Sequence, residues 1–173
     1  MPALLDHIDP NGLEEFSVVF TDRSLNHMSK EFQQVMCDLS SNLKEVYNSD
    51  AVVLVPGGGT FAMEAVARQF GIDTSVLIIR NGWFSYRWSQ IFESSANART
   101  TTVVKARMVG NEAVAPFRPA DVNDVIEKIK EEKPNIVFAP HVETSAGVIL
   151  PDDYIKKIAT AAHEVGALMV LDC

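Results

Sequence analysis

A run of three glycines and a threonine is the segment of this 173-residue chain best suited to bind an anion. Gly57, Gly58, Gly59 and Thr60 follow the apolar run 51–55 and precede a helical pattern. Glycines let the backbone approach a ligand closely, and a helix N-terminus offers unpaired N–H groups and a positive dipole to a phosphate. The segment lacks the Lys-Ser/Thr pair of a Walker A loop and the GxGxxG spacing of a dinucleotide site. It therefore predicts either phosphate binding or a tight turn without a ligand.

Polar and aromatic residues follow the later apolar runs. Segment 81–88, NGWFSYRW, places aromatic side chains at a predicted helix start, where they either stack on a planar ligand or, more commonly, form core and interface contacts. Segment 140–147, PHVETSAG, contains too many hydrogen-bonding side chains for an inert connection. A single His141 more often makes a structural hydrogen bond than acts as a base or ligand, and no second histidine lies at metal spacing. Asp172 follows the last apolar run.

These segments follow predicted strands, because short apolar runs alternate with amphipathic stretches along the chain. The predicted strands are 51–55, 75–79, 101–105, 135–139 and 167–171, and the last is expected to be a buried parallel strand. The predicted helices are 28–47, 60–70, 83–95, 120–132 and 152–165. Such a chain forms a mostly parallel α/β sheet covered by helices on both faces, and ligands bind at the carboxyl edge of such a sheet.

Composition and charge argue against several classes of protein. With 47% hydrophobic and 22% charged residues, the chain has the composition of an ordinary globular domain. No stretch approaches the roughly 20 apolar residues of a membrane span, and the N-terminus lacks the pattern of a signal peptide. A net charge of -8 argues against sequence-independent nucleic-acid binding, which needs a clustered basic surface. We therefore expect a cytoplasmic protein that binds neither membranes nor nucleic acid.

The first residues and the cysteines add two further expectations. Residues 1–25 contain two prolines and an Asn-Gly pair but no sustained hydrophobic period, which predicts an arm that lies over another surface. Cys37 and Cys173 form neither a disulfide framework nor a metal-ligand pattern, so no metal site is expected.

Taken in order, the four segments resemble those of the class V aminotransferases, fold-type-I enzymes that use pyridoxal 5'-phosphate and include alanine–glyoxylate and serine–glyoxylate aminotransferases. PGGGTFAMEA resembles the family's phosphate-binding turn, and NGWFSYRW resembles its NGxFGxR segment. APHVETSAGV resembles its HxETSTGV segment, and LMVLDC resembles the strand that ends in the cofactor-binding aspartate. The resemblance runs from about Thr21 to the end of the chain. It implies that residues 26–173 are the N-terminal portion of the cofactor-binding large domain, preceded by the arm at 1–25.

The resemblance also implies how the cofactor would be held. The backbone amides of Gly58, Gly59 and Thr60, with the Thr60 hydroxyl, would bind the phosphate. Phe84 would stack on the pyridine ring, and Asp172 would pair with its protonated nitrogen. A carboxylate beside that nitrogen favours the charged form, which makes the ring a better electron sink.

The remaining matched residues belong mainly to the segment 140–147. Thr144 would donate a hydrogen bond to the phenolic oxygen of the cofactor, with His141 and Glu143 supporting the loop. Ser85 stands where the family has a glycine, and Pro56 and Gly58 stand where hydroxyl residues are frequent. We therefore expect phosphate binding to depend more than usual on main-chain donors.

The resemblance also implies what catalysis would require. The lysine that forms a Schiff base with the cofactor is expected beyond Cys173, so the visible chain should be inactive by itself. The intact enzyme would be a homodimer that moves an amino group between a small amino acid, alanine or serine, and a 2-oxo acid such as glyoxylate. Another class V reaction, by a lyase, hydrolase or desulfurase, is an alternative. So is a non-catalytic cofactor-binding protein.

Overall fold

A computed structural model describes residues 27–95 and 98–173, so the predicted arm at 1–25 lies outside the described residues. The chain divides into two units, Met1–Val55 and Pro56–Cys173. The helices are α1 (Lys30–Tyr47), α2 (Gly59–Phe70), α3 (Trp83–Ser95), α4 (Val122–Glu132) and α5 (Asp152–Glu164). The strands are β1 (Ser75–Arg80), β2 (Thr100–Lys105), β3 (Arg107–Met108), β4 (Phe117–Arg118), β5 (Ile136–Pro140), β6 (Val142–Glu143), β7 (Val148–Ile149) and β8 (Leu168–Asp172). A short 3-10 helix, Thr144–Ala146, lies between β6 and β7.

The second unit is built on a four-stranded parallel sheet in the order β2-β1-β5-β8. Alternate residues of each strand point to opposite faces, so a central strand needs apolar side chains on both. On one face, Leu77 packs in a cluster with residues of α4 and α5. On the other face, Ile78 packs in a cluster with residues of α2 and α3. The predicted fold class, a parallel α/β sheet covered on both faces, is confirmed.

Polar residues define where several helices begin. Ser29 precedes α1 and accepts a hydrogen bond from the Phe32 N–H at 3.0 Å. Asp121 precedes α4 and accepts from the Asn123 N–H at 2.8 Å. Asp152 and Asp153 occupy the first turn of α5, where carboxylates stabilise the positive helix end. Each predicted helix is present in the structure, and its observed ends differ from the predicted ends by at most two residues.

The predicted strand at 51–55 is wrong. These residues have no strand or helix assignment, and the side chain of Val53 is 82% exposed. An apolar run becomes a strand only where a neighbouring strand accepts and donates its backbone hydrogen bonds. No strand pairing within the described ranges includes residues 51–55.

The last predicted strand is present, but its expected burial is only partly correct. β8 pairs with β5 in parallel, yet Leu168 is 52% exposed and Leu171 is 38% exposed. The reason is its position at the edge of the sheet, where one side of the strand has no paired neighbour among the described residues.

None of the helices in the described residues is long and apolar enough to cross a membrane.

Helix α1, in the first unit, has no buried residue, although Val35, Met36 and Leu39 lie at helical spacing on one side. Its apolar side is therefore exposed in the described chain.

Candidate functional site

Parallel strand pairing brings two of the predicted segments together at one edge of the sheet. β5 and β8 end side by side, with Pro140 paired to Asp172. Immediately after β5, the His141 N–H donates to the Asp172 carbonyl at 2.8 Å, and the His141 carbonyl accepts from the Leu150 N–H at 2.9 Å. Both backbone groups of His141 therefore fix the turn beside Asp172.

Glu143 joins the turn after β5 to the start of α3. Glu143 is fully buried. Its two carboxylate oxygens accept hydrogen bonds from the N–H groups of Phe84 and Ser85, each at 2.9 Å. The hydroxyls of Ser85 and Ser145 also donate to it. The Trp83 N–H in turn donates to the Ser145 hydroxyl at 2.8 Å. Three N–H groups in the first turn of α3 are thus capped by a loop some sixty residues away, and this fixes the position of Phe84.

The charge of Glu143 is set by opposing effects. Burial raises its pKa, but the hydrogen bonds from Ser145, Ser85 and the two backbone amides together outweigh burial and leave the pKa lowered. The carboxylate is therefore the stable form, and it stabilises the positive N-terminal end of α3.

Gly82 permits this close approach between segments. A Cβ at Gly82 would lie 2.5 Å from the Ser145 hydroxyl and 2.7 Å from Glu143 Cγ. Any larger side chain there would force the turn after β5 away from α3. The glycine in the NGWFSYRW segment is thus required by packing within the chain itself.

Ser85, which stands where the resemblance has a glycine, has a defined structural role. Its buried hydroxyl donates to Glu143 and accepts from the N–H groups of Asn81 and Gly82, at 2.8 and 3.1 Å. The serine therefore adds a hydrogen-bonding centre beneath Phe84. Sequence comparison with the motif shows only the difference in residue type, because the acceptor Glu143 lies in a distant segment.

Arg87 connects the remaining segment to the same place. Its Nη1 donates to the Thr60 hydroxyl at the start of α2, and its Cζ lies 5.9 Å from the centre of the Phe84 ring. Its positive charge also opposes the rise in the pKa of Asp172 that burial causes. Sequence reasoning missed Arg87 as a site residue, although it is the arginine of the motif that NGWFSYRW resembles.

The glycine turn before α2 has free space beside it. A Cβ built at Gly58 or Gly59 meets no other atom within 4 Å, and neither residue has a positive φ. Neither crowding nor backbone conformation therefore requires glycine at these two positions in the described chain. By contrast, Gly57 has φ of 132°, and a Cβ there would lie 2.7 Å from the Phe61 side chain.

Asp172 carries a carboxyl group whose charge is destabilised by its surroundings. Burial is the largest cause, and the negative charge of Glu143 adds to it, while Arg87 acts in the opposite direction. The net result is a raised pKa for Asp172. A positive group beside this carboxyl would stabilise its ionised form.

Arg87 links Thr60 with Phe84, and Glu143 holds the backbone of Phe84. Asp172 lies beside the turn that leads to Glu143, because β8 is paired with β5, while Gly58 and Gly59 lie immediately before Thr60. Thr144 follows Glu143 on the 3-10 helix with an exposed side chain, and its carbonyl accepts from the Gly147 N–H at 3.3 Å. Among the described residues, no cluster of His, Cys, Asp or Glu could hold a metal ion.

Comparison with known proteins gives a consistent family match. A family model described as Aminotransferase class-V matches residues 13–173. The chain is 28% identical over 150 residues to a soluble hydrogenase small subunit from Synechococcus. The matched region covers 86% of this chain and 37% of that protein. It is 27% identical over 153 residues to alanine–glyoxylate aminotransferase from Rattus norvegicus, covering 87% and 34% of the two proteins.

A solved structure shares the fold. Ureidoglycine–glyoxylate aminotransferase from Bacillus subtilis matches with a TM-score of 0.72 at 26% identity, over 86% of this chain and 36% of that one. The chain spans about a third of the length of the curated relatives it matches.

Proposed function

The chain belongs to the class V aminotransferase family, and we propose that it forms the cofactor-binding part of a pyridoxal-phosphate-dependent aminotransferase. The intact protein moves an amino group between a small amino acid, alanine or serine, and a 2-oxo acid such as glyoxylate. The alanine–glyoxylate aminotransferases among its relatives support this choice of substrates. The homodimer is proposed from the family resemblance alone, and the cytoplasmic location from the composition and pattern of the sequence.

One observation carries the proposal: side chains from three separate turns are joined through two charged residues. Arg87 contacts both Thr60 and Phe84, and Glu143 holds the backbone of Phe84. Asp172 ends β8 beside Pro140, which lies in the strand that leads into the Glu143 turn. An anion-binding turn, an aromatic ring and a carboxylate are therefore held in fixed relation, as a phosphorylated pyridine requires.

The phosphate is held at the N-terminus of α2. The unfilled space beside Gly58 and Gly59 lets phosphate oxygens approach their N–H groups, and the helix dipole favours the negative charge. The Thr60 hydroxyl adds a donor, and Arg87 holds that hydroxyl in place from the other side. The donors are mostly backbone amides, so the binding depends on the shape of the turn more than on side chains.

The ring is held by three residues of the remaining turns. Bound pyridoxal phosphate supplies an electron sink for negative charge at the substrate's alpha carbon. Phe84, 40% exposed, offers its ring as a stacking surface, and Thr144 offers a hydroxyl to the phenolic oxygen. Asp172 keeps a proton on the ring nitrogen, and that positive nitrogen offsets the burial and the Glu143 charge that otherwise oppose ionisation of Asp172.

The test compares Asp172→Asn with Asp153→Asn in the intact protein. Asp153 is an exposed residue of the first turn of α5 and serves as a matched control. We expect Asp172→Asn to lower the rate of amino transfer from alanine or serine to glyoxylate at least about tenfold, because a charge-assisted contact to the cofactor is lost. Asp153→Asn should retain the wild-type rate. Glycine formation, followed by NMR, is the measurement.

The outcomes separate this proposal from its rivals. Release of ammonia or sulfide without consumption of glyoxylate would identify a lyase or desulfurase of the same family. Tight pyridoxal phosphate binding without turnover of any amino acid would identify a non-catalytic binding protein. Equal rates for the two aspartate variants would remove the proposed role of Asp172.

A further inference from the structure

A cavity lies at the carboxyl ends of β1 and β2, and it has a volume of about 300 Å³. Its lining includes Arg80 and Lys105 from the two strand ends and Trp83 and Phe117 from the following segments. None of the residues proposed to contact pyridoxal phosphate lines it. The cavity adjoins that site through Trp83, but its chemistry is separate.

Two positively charged side chains line this cavity, and neither has a carboxylate partner among the residues that the structure describes. Arg80 and Lys105 are paired in the parallel register of β1 and β2, so their backbones lie roughly 5 Å apart. No ion pair among residues 27–95 and 98–173 includes either side chain, and no Asp or Glu lines the cavity. Adjacent like charges repel, and an anion between them relieves that repulsion.

The Arg80 side chain is held in a defined position. Its Cζ lies 4.8 Å from the centre of the Tyr86 ring, and its Nη1 is 3.4 Å from the Ser89 hydroxyl. A guanidinium has five N–H donors, so these contacts leave donors free for a bound anion.

Asn81 is a buried polar residue in the wall of the cavity. The residue is 3% exposed and lines the cavity, yet neither its Oδ1 nor its Nδ2 has a hydrogen-bond partner among the described residues. Buried polar groups are almost always hydrogen-bonded, because an unpaired group loses its interactions with water. The side chain of Asn81 therefore places an unpaired polar group beside the wall of the cavity.

The walls of the cavity fit a flat apolar body. Trp83 is 58% exposed and Phe117 is 49% exposed, and Tyr86 lies 5.7 Å from Trp83 between ring centres. We propose that this cavity binds a small aromatic carboxylate. Its carboxylate lies between Arg80 and Lys105, and its ring lies against the aromatic side chains. This site does not depend on the proposed aminotransferase activity.

The test uses 4-fluorobenzoate as the probe and 4-fluorobenzyl alcohol as its neutral counterpart. Binding to the intact protein is followed by fluorine NMR, with pyridoxal phosphate present in excess. We expect the acid to bind more tightly than the alcohol. Lys105→Met should weaken binding of the acid about threefold, as expected for an exposed charge, and Arg80→Gln should weaken it about tenfold. Lys157→Met, on the exposed surface of α5, is the matched control and should leave binding unchanged.

Three results would overturn the proposal: no binding of 4-fluorobenzoate, equal affinity for the acid and the alcohol, or equal affinity in Lys105→Met and Lys157→Met. Because Lys105 is exposed, its substitution leaves the fold intact, so the test stands even if Arg80→Gln does not fold.

Discussion

At the scale of single residues, Glu143 determines how the candidate site is held together. The sequence identified its segment through the density of polar residues and the family resemblance, and assigned it a supporting role. Its partners could not be predicted, because Phe84 and Ser85 lie 59 and 58 residues away and their approach depends on the order of strands in the sheet. Arg87 was missed for the same reason, since its contact with Thr60 spans 27 residues.

Replacing Glu143 by Gln tests this role. The amide keeps one acceptor but turns an NH₂ group toward backbone N–H groups that need acceptors. We expect a loss of about 2–3 kcal/mol in the free energy of unfolding at pH 7, measured by urea unfolding of the intact protein. Glu127→Gln, on the exposed face of α4, should change it by less than about 0.5 kcal/mol.

The difference in unfolding free energy between wild type and Glu143→Gln depends on pH, and the pKa of Glu143 determines how. The folded-state pKa is lower than its ordinary value of 4.5, so the carboxylate stabilises the fold fully above that pH. Its contribution is lost as the pH falls through the lowered folded-state value. The gap in stability between wild type and Glu143→Gln should therefore narrow below pH 4.5. A gap that widens on acidification would contradict the assignment.

At the scale of elements, helices were predicted more accurately than strands. A helix makes its backbone hydrogen bonds within itself, so periodicity and capping residues near its ends are enough to locate it. A strand needs a partner elsewhere in the chain, which the sequence of the strand does not contain. The apolar run 51–55 has no partner strand among the described residues, so its predicted strand is absent. The run 75–79 lies between two partner strands, and its predicted strand is present.

The two glycine-containing turns should respond in opposite ways to an added methyl group. Gly59→Ala has free space and a helical backbone, so we expect the protein without cofactor to gain about 0.5–1 kcal/mol in stability. The same methyl group occupies the space proposed for the phosphate and should weaken pyridoxal phosphate binding at least about tenfold. Gly82→Ala forces a Cβ against Ser145 and Glu143 and should cost about 1–3 kcal/mol in stability.

Thermal unfolding without cofactor and equilibrium binding of pyridoxal phosphate measure the two effects separately. If Gly59→Ala binds the cofactor as tightly as wild type does, the phosphate is not bound at this turn. If Gly82→Ala is as stable as wild type, the tight contact between α3 and the loop after β5 is not required.

At the scale of the whole molecule, the alternation of apolar runs and amphipathic stretches was sufficient to predict a parallel α/β sheet. Burial was harder to predict, because it depends on what lies beside each element. Leu168 and Leu171 of β8 and Val53 are apolar yet exposed, although their sequence is typical of buried strands.

The central claim is that these turns hold a pyridine ring with a proton on its nitrogen, and nitrogen-15 NMR tests it most directly. The intact protein is loaded with pyridoxal phosphate labelled at the ring nitrogen and observed at pH 8. We predict the chemical shift of a protonated nitrogen in the wild type and of an unprotonated nitrogen in Asp172→Asn. The same chemical shift in both proteins would contradict the account.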